Sequence, residues 1–303
     1  MPTIFNRQQR CLSLLFVATC TSGLWAECSD SGFCRLPTTK NAARSAPNVV
    51  EKLPASTQEN TIGIGLRAGM AIGDAKEGLT YSGVSALAHW QPRDSTTLAV
   101  EIPWVRSSGN LGSTSGVGDV LVAADQRIAQ TSSGSWSTSI GLRLPTGNDQ
   151  ALSGAGLGYQ PGLGSTDVIL AAGWMLHGFD ARVGYISALG RNDTPGIELE
   201  RGDDVAAAAG YTMHFNPINI RGGLQAIHRL KNSTATDGAG GRIEINDSAG
   251  TQVNFQMGAT WQTGERWNLG LNAAIALMKR QENADVDGLT RSRSIALQAL
   301  FFW

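Results

Sequence analysis

From Thr61 to Trp303 the chain alternates apolar and polar residues with a period of two, and its interruptions come alternately short and long. A period of two marks strands with one apolar face. Twelve such segments can be drawn: 61–71, 79–90, 95–106, 117–130, 134–146, 165–177, 180–189, 202–214, 217–231, 250–264, 266–280 and 291–303. The gaps after even-numbered segments are tight: Gln91 to Asp94, Thr131 to Ser133, Gly178–Phe179, Phe215–Asn216 and Glu265. Most gaps after odd-numbered segments are long and rich in Gly, Ser, Asn and Asp, as in Ser107 to Gly116, Gly147 to Gly164, Asn232 to Ala249 and Gln281 to Thr290. Membrane barrels combine short periplasmic turns with longer extracellular loops, and an even strand number leaves both termini in the periplasm. A soluble sandwich has no reason to alternate in this way. The pattern therefore predicts an all-β fold, an antiparallel transmembrane β-barrel of twelve strands over residues 61–303. No apolar run approaches the roughly 18 residues that a spanning helix needs.

Tryptophan placement points the same way. Trp90, Trp136, Trp174, Trp261, Trp267 and Trp303 all fall in the half of their strands assigned to the periplasmic side, and only Trp104 lies towards the other end. Indole rings are amphipathic and settle at headgroup depth, so these six are expected to form an interfacial girdle. The last segment runs Ile295, Leu297, Ala299, Phe301, Trp303 in strict alternation and finishes on aromatics. Phe301 and Trp303 are the expected assembly signal, recognised by barrel-assembly machinery through strand addition.

The N-terminus carries Arg7 and Arg10, the apolar stretch 11–18 and small residues up to Ala26. This reads as a secretory signal peptide over residues 1–26, implying export to the bacterial outer membrane. Its removal takes the formal net charge from −1 to about −3, and nothing in that balance suggests a nucleic-acid partner. Residues 27–60 are rich in Pro, Ser, Thr and Ala and read as an irregular periplasmic segment. Within it, Cys28 and Cys34 are expected to form a local disulfide outside the cytoplasm. Two thiolates without a neighbouring His are too few ligands for a metal site.

If the aliphatic parity faces lipid, the opposite parity faces the lumen. That set includes Arg67, Glu101, Asp119, Asp125, Arg127, Arg143, Asp167, Arg182, Arg221, Gln225, Asn254 and Gln256. An Arg on the lipid face at mid-depth would cost about 2–4 kcal/mol, so these charges belong inside. Asp119, Arg143 and Asp167 share that parity at the same, extracellular, ends of adjacent strands, and are expected to form an Asp–Arg–Asp row. Such a row is either a constriction that selects charge or a structural cross-strand ion pair, which would stabilise the sheet whatever the barrel carries.

Gly118-Asp119-Val120-Leu121-Val122, then Gly141-Leu142-Arg143-Leu144-Pro145-Thr146-Gly147, then the stretch from Gly164 to Trp174, resemble the outer-membrane transporter family associated with the meta-pathway of phenol degradation. The resemblance covers roughly residues 116–176 and implies uptake of small hydrophobic or aromatic compounds. It implies no defined ligand residues.

Enzymatic chemistry finds little support. Barrel hydrolases pair a His with a nearby Ser nucleophile, whereas the histidines here occur as His89-Trp90, His177-Gly178, His214-Phe215 and His228-Arg229. Asn283, Asp285, Asp287 and Gly288 copy half of a calcium loop, but the twelfth position is Ser294 instead of Glu. No catalytic residue, metal or cofactor is expected. Two functions remain: a passive channel for small molecules, or a non-conducting structural or surface-interaction barrel whose large loops plug the lumen. The expected partners are outer-membrane lipid and lipopolysaccharide, the barrel-assembly machinery and a small-molecule solute.

Overall fold

A strand whose two faces differ in polarity needs two different surroundings, and this chain supplies them by closing its sheet on itself. The computed structural model describes residues 61–73, 78–194, 197–236, 240–263, 266–280 and 291–303. The signal peptide, the 27–60 segment, Cys28 and Cys34, Glu265 and the Asn283–Gly288 loop lie outside the described residues.

Among the described residues seventeen strands follow one another: β1 (Thr61–Ile72), β2 (Thr80–Arg93), β3 (Thr96–Gly109), β4 (Gly112–Val117), β5 (Val120–Thr131), β6 (Gly134–Leu144), β7 (Thr166–Leu176), β8 (Phe179–Leu189), β9 (Asn192–Thr194), β10 (Ile197–Glu200), β11 (Asp204–Phe215), β12 (Ile218–Arg229), β13 (Thr234–Thr236), β14 (Arg242–Glu244), β15 (Gly250–Thr263), β16 (Trp267–Met278) and β17 (Arg293–Phe302). Neighbours in the wall are antiparallel, and β1 pairs with both β2 and β17, which closes the barrel. β4 and β5 lie end to end along β3 and act as one wall strand, so the barrel has twelve. β9, β10, β13 and β14 form a separate small sheet that ties together the β8–β11 and β12–β15 connections.

Two departures from the sequence pattern have local causes. Ser107 to Gly116 is not a long loop. β3 and β4 continue to a tight hairpin at Asn110 and Leu111, with Ser107 opposite Thr114. Ser and Gly run through that hairpin, so it carries no apolar alternation to read. The continuous strand expected over 117–130 is broken at Gly118 and Asp119. There the facing residue on β3 is Pro103, whose carbonyl accepts from the Gly118 N–H at 2.8 Å but which has no N–H to return.

The outward face is apolar and the inward face carries the polar side chains. Ile64, Leu66, Met70, Ile140, Leu170, Val183, Leu271 and Leu297 are exposed, while Asp125, Asp167 and Asn254 are fully buried. The lumen itself has two sides. Leu121, Ala123, Ile169, Ala171, Ile186, Ala206 and Ile227 form a buried apolar strip contributed by β5, β7, β8, β11 and β12. Arg67, Glu101, Gln225, Asn254, Gln256, Asn272 and Gln298 make the rest polar. At the periplasmic end Leu87, Leu300 and Phe302 cluster inward. The Phe302 ring lies over Gly63, where an added Cβ would come within 2.5 Å of it.

Candidate functional site

The connection between β6 and β7, residues 145–165, folds down into the extracellular mouth of the barrel. A single 3-10 turn at Leu157–Tyr159 is completely buried. Tyr159 packs with Ala71, Leu79, Tyr81 and Ala155 on one side. Leu157 and Leu163 pack on the other with Leu199 and Ala235 of the small sheet and with Ile245, just after β14. Thr114 donates its hydroxyl to the Tyr159 carbonyl, and the Tyr159 hydroxyl accepts from the Leu111 N–H at 3.3 Å. Gln160 holds the loop's own backbone, donating to the carbonyls of Leu152 at 2.8 Å and Ala155 at 3.1 Å and accepting from the Leu152 N–H at 3.0 Å. Burial of these side chains supplies the driving force.

The ends of this loop are fastened at the break in the wall strand. Asp119 accepts the Gly147 N–H at 3.0 Å and the Leu163 N–H at 2.7 Å, one on each carboxylate oxygen. Thr146 bridges the same point, donating to the Gly118 carbonyl at 3.0 Å and accepting from the Val120 N–H at 2.9 Å. Gly147 and Gly162 cross so closely that a Cβ on Gly147 would lie 2.6 Å from the Gly162 Cα. Side chains are excluded from that crossing. The geometry is a latch that pins both ends of a loop to one carboxylate.

Beneath the loop is a cavity of about 100 Å³, lined among others by Arg67, Ser85, Asp119, Arg143, Leu157 and Gln160. Around it run buried ion pairs. Arg143 and Asp167 face each other across β6 and β7 and pair at 2.9 Å. Asp167 also takes Arg201. Across β11 and β12, Asp204 pairs with Arg229 at 2.9 Å and lies 4.0 Å from Arg280. Burial works to lower the pKa of Arg201, in the loop before β11, but the neighbouring Asp167 carboxylate opposes it and the pKa lies above its ordinary value. Arg291 sits over the Tyr81 ring at 4.3 Å. Five buried arginines (143, 201, 229, 280 and 291) thus surround three buried aspartates, 119, 167 and 204.

Of the expected Asp–Arg–Asp row, Arg143 and Asp167 are ion-pair partners; Asp119 lines the same cavity as Arg143 and lies within reach of its charge, while its two oxygens accept from loop backbone. Unsatisfied N–H groups at a buried loop end are costly, and Asp119 is the carboxylate placed to meet them. Of the other candidates, Arg67 and Glu101 are buried and paired with each other. Arg221 pairs with Asp180 near the periplasmic end, its Nε donating at 2.9 Å. Arg127 is half-buried beside an irregularity in the β5–β6 register. Arg182 and Asp125 lie 3.5 Å apart at mid-lumen.

Sequence reading missed Arg201, which lies outside the drawn segments, and Arg280 and Arg291, which sit at the outermost positions of segments 266–280 and 291–303, just beyond the strands that form there. Asp204 was within reach, since it shares parity with Thr212. The run Ala206 to Ala209 gives β11 no polarity contrast to reveal it.

On the outer wall Trp90, Trp136, Trp261, Trp267 and Trp303 are exposed and Trp174 is half-buried. Trp136 and Trp174 are 6.3 Å apart, and Phe301 stacks obliquely between Trp267 at 5.1 Å and Trp303 at 6.0 Å. His214 bonds to Asn219 through Nδ1 at 2.7 Å, and His228 bonds to Thr251 at 2.8 Å.

Comparison with known proteins gives a family and a fold. A family model described as "Putative MetA-pathway of phenol degradation" matches residues 76–284. No curated relative matches the chain in sequence. Among solved structures, an outer membrane channel from Pseudomonas putida F1 is similar over 84% of this chain and 100% of its own, with a TM-score of 0.62 and 17% identity. The NanC porin is similar over 78% of this chain and 98% of its own, at a TM-score of 0.48 and 9% identity. The KdgM porin covers 79% of this chain and 98% of its own, at 0.44 and 9%.

Proposed function

For a chain that belongs to the family described as the MetA-pathway of phenol degradation, and that folds as an outer-membrane β-barrel, we propose a passive channel for small molecules whose extracellular mouth is opened by movement of the 145–165 loop. The observation that carries this reading is the latch. Loop ends are pinned by two backbone N–H donors on one carboxylate, Asp119, an arrangement that one local rearrangement releases. The barrel wall does not have to change. A buried apolar strip along one side of the lumen, Leu121, Ile169, Ile186 and Ile227, supports small hydrophobic or aromatic solutes as the cargo, in keeping with the family's description.

A second reading has its own support. The loop sits in the mouth with its Leu157–Tyr159 turn fully buried, which favours a non-conducting barrel with a structural or surface role. Single-channel recording in a planar bilayer separates the two. Discrete conductance steps that become longer or larger when residues 149–160 are replaced by a short Gly-Ser linker support the channel. Silence from both proteins supports the plug.

A further inference from the structure

We infer that the outer wall carries a binding site for a phosphorylated glycolipid headgroup of the outer leaflet, the chemistry of lipopolysaccharide, at the extracellular end of β17, β1, β2 and β3. The ladder registers define the outward rows of this face. One row runs Leu297, Ala68, Val84, Trp104; the next runs Ile295, Met70, Ser82, Arg106; the last runs Arg293, Ile72, Thr80, Ser108. The wall is therefore apolar up to Trp104 and then turns polar and cationic within two rows. At that change lies a cleft of about 560 Å³, lined among others by Arg106, Arg293, Thr80, Ser82, Met70 and Ile295. Both arginines are exposed, and among the described residues neither has a carboxylate partner.

Cationic side chains facing outward at the rim of a membrane band meet headgroups. Arg is suited to phosphate because its planar fork can donate two parallel hydrogen bonds. The spacing favours one headgroup with two anionic groups over a single small anion. β17 and β3 are three strand spacings apart, and the arginines differ by one row, so their Cα atoms lie roughly 16 Å apart from strand geometry. Met70 and Ile295 floor the cleft, and Val84, Leu297 and Trp104 continue below it, where acyl chains would lie. The opposite wall differs: there Asp203 accepts from the Tyr185 hydroxyl at 2.8 Å and from the Ser187 hydroxyl at 3.0 Å.

The test is binding of bisphosphorylated lipid A to the full-length barrel in detergent micelles by native mass spectrometry, beside the dephosphorylated lipid and beside sodium pyrophosphate as competitor. The expected result is binding that weakens at least tenfold without the phosphates, is not displaced by pyrophosphate, and falls about tenfold in Arg106→Gln or Arg293→Gln and further in the double variant. Arg242→Gln, also exposed but outside the cleft, should bind as the parent does. Equal binding by the cleft variants, or by the dephosphorylated lipid, overturns the site. Displacement by pyrophosphate at comparable concentration reduces it to a small-anion site and also overturns it. Should the double variant not fold, the single variants decide. Conductance of these variants is expected to stay unchanged, so loss of this proposal leaves the channel reading untouched.

Discussion

Replacing Asp119 by Ala should open the loop while leaving the barrel intact, and the size of the effect can be worked from the latch. Two backbone N–H groups, on Gly147 and Leu163, donate to the two carboxylate oxygens. A hydrogen bond to a charged group contributes about 1.5–3 kcal/mol, so the gross loss is about 3–6 kcal/mol. Part of this is offset, because the carboxylate is itself buried in the closed state and regains solvation whenever the loop leaves. A net cost of about 2 kcal/mol to the closed state is a fair working figure, which raises the open-to-closed ratio roughly 30-fold. Two assays read it. Open-channel dwell time in a planar bilayer should lengthen, and proteinase K should cut between residues 148 and 160 faster than in the parent. Thr146→Val removes the bridges to Gly118 and Val120 and should act in the same direction. Because Thr146 and Asp119 restrain the same loop end, the double variant should gain less than the sum of the singles. If Asp119→Ala leaves both dwell time and cleavage rate unchanged, while heat-modified mobility shows a folded barrel, the latch argument is refuted.

Other outcomes follow from the same geometry. Gly162→Val places a side chain where the Gly147 backbone passes within 2.6 Å, so the loop should fail to close and the phenotype should match Asp119→Ala in the same protease assay. Arg143→Ala removes a buried cation at the mouth and leaves its partner Asp167 in place, and should shift the reversal potential in a potassium chloride gradient towards cation permeation; an unmoved potential would show that the buried charge does not face the permeation path. Ile140→Arg puts a charge on the exposed outer face and should lower stability in lipid by about 2–4 kcal/mol, measured by urea unfolding in vesicles. Gly63→Val collides with the Phe302 ring and should cost about 1–3 kcal/mol by overpacking in that unfolding assay, a cost that the companion Phe302→Ala substitution relieves.

The architecture was legible because a membrane wall imposes two periodic demands at once, alternation along each strand and alternation of connection length. Both leave their record in residue order. Ile64 and Leu66 against Arg67, or Ile140 and Leu142 against Arg143, need no structure to be sorted. Legibility fails where one of those demands is relaxed. In the Ser107 to Gly116 stretch the strands rise beyond the lipid, so neither face must be apolar and the hairpin looks like a loop. Along Ala206 to Ala209 both faces are small and alternation loses its contrast. The loop fold was hidden for a different reason: its contacts, such as Thr114 to Tyr159, join residues with no periodic relation. What the sequence held instead was a pair of short runs, Gly118-Asp119 and Thr146-Gly147, noticeable as a family resemblance without any indication that they touch.

That they do touch connects two features which otherwise look separate. The wall strand is broken at Gly118 and Asp119 because Pro103 on the facing strand has no N–H to offer, and a broken ladder is ordinarily a weakness in a barrel. Here the break leaves the Gly118 carbonyl without the N–H that Pro103 cannot offer, and Thr146 bonds both to it and to the Val120 N–H. It also leaves the carboxylate of Asp119, with its inward parity, at the exact height where the β6–β7 loop leaves and returns. An unbroken strand would use those backbone groups in its own ladder, and the loop would have to find other anchors. Restoring the ladder by Pro103→Ala alone should therefore change little, because Thr146 already holds the freed groups. The break serves the loop, and the loop, through Gly147 and Leu163, is what closes the mouth.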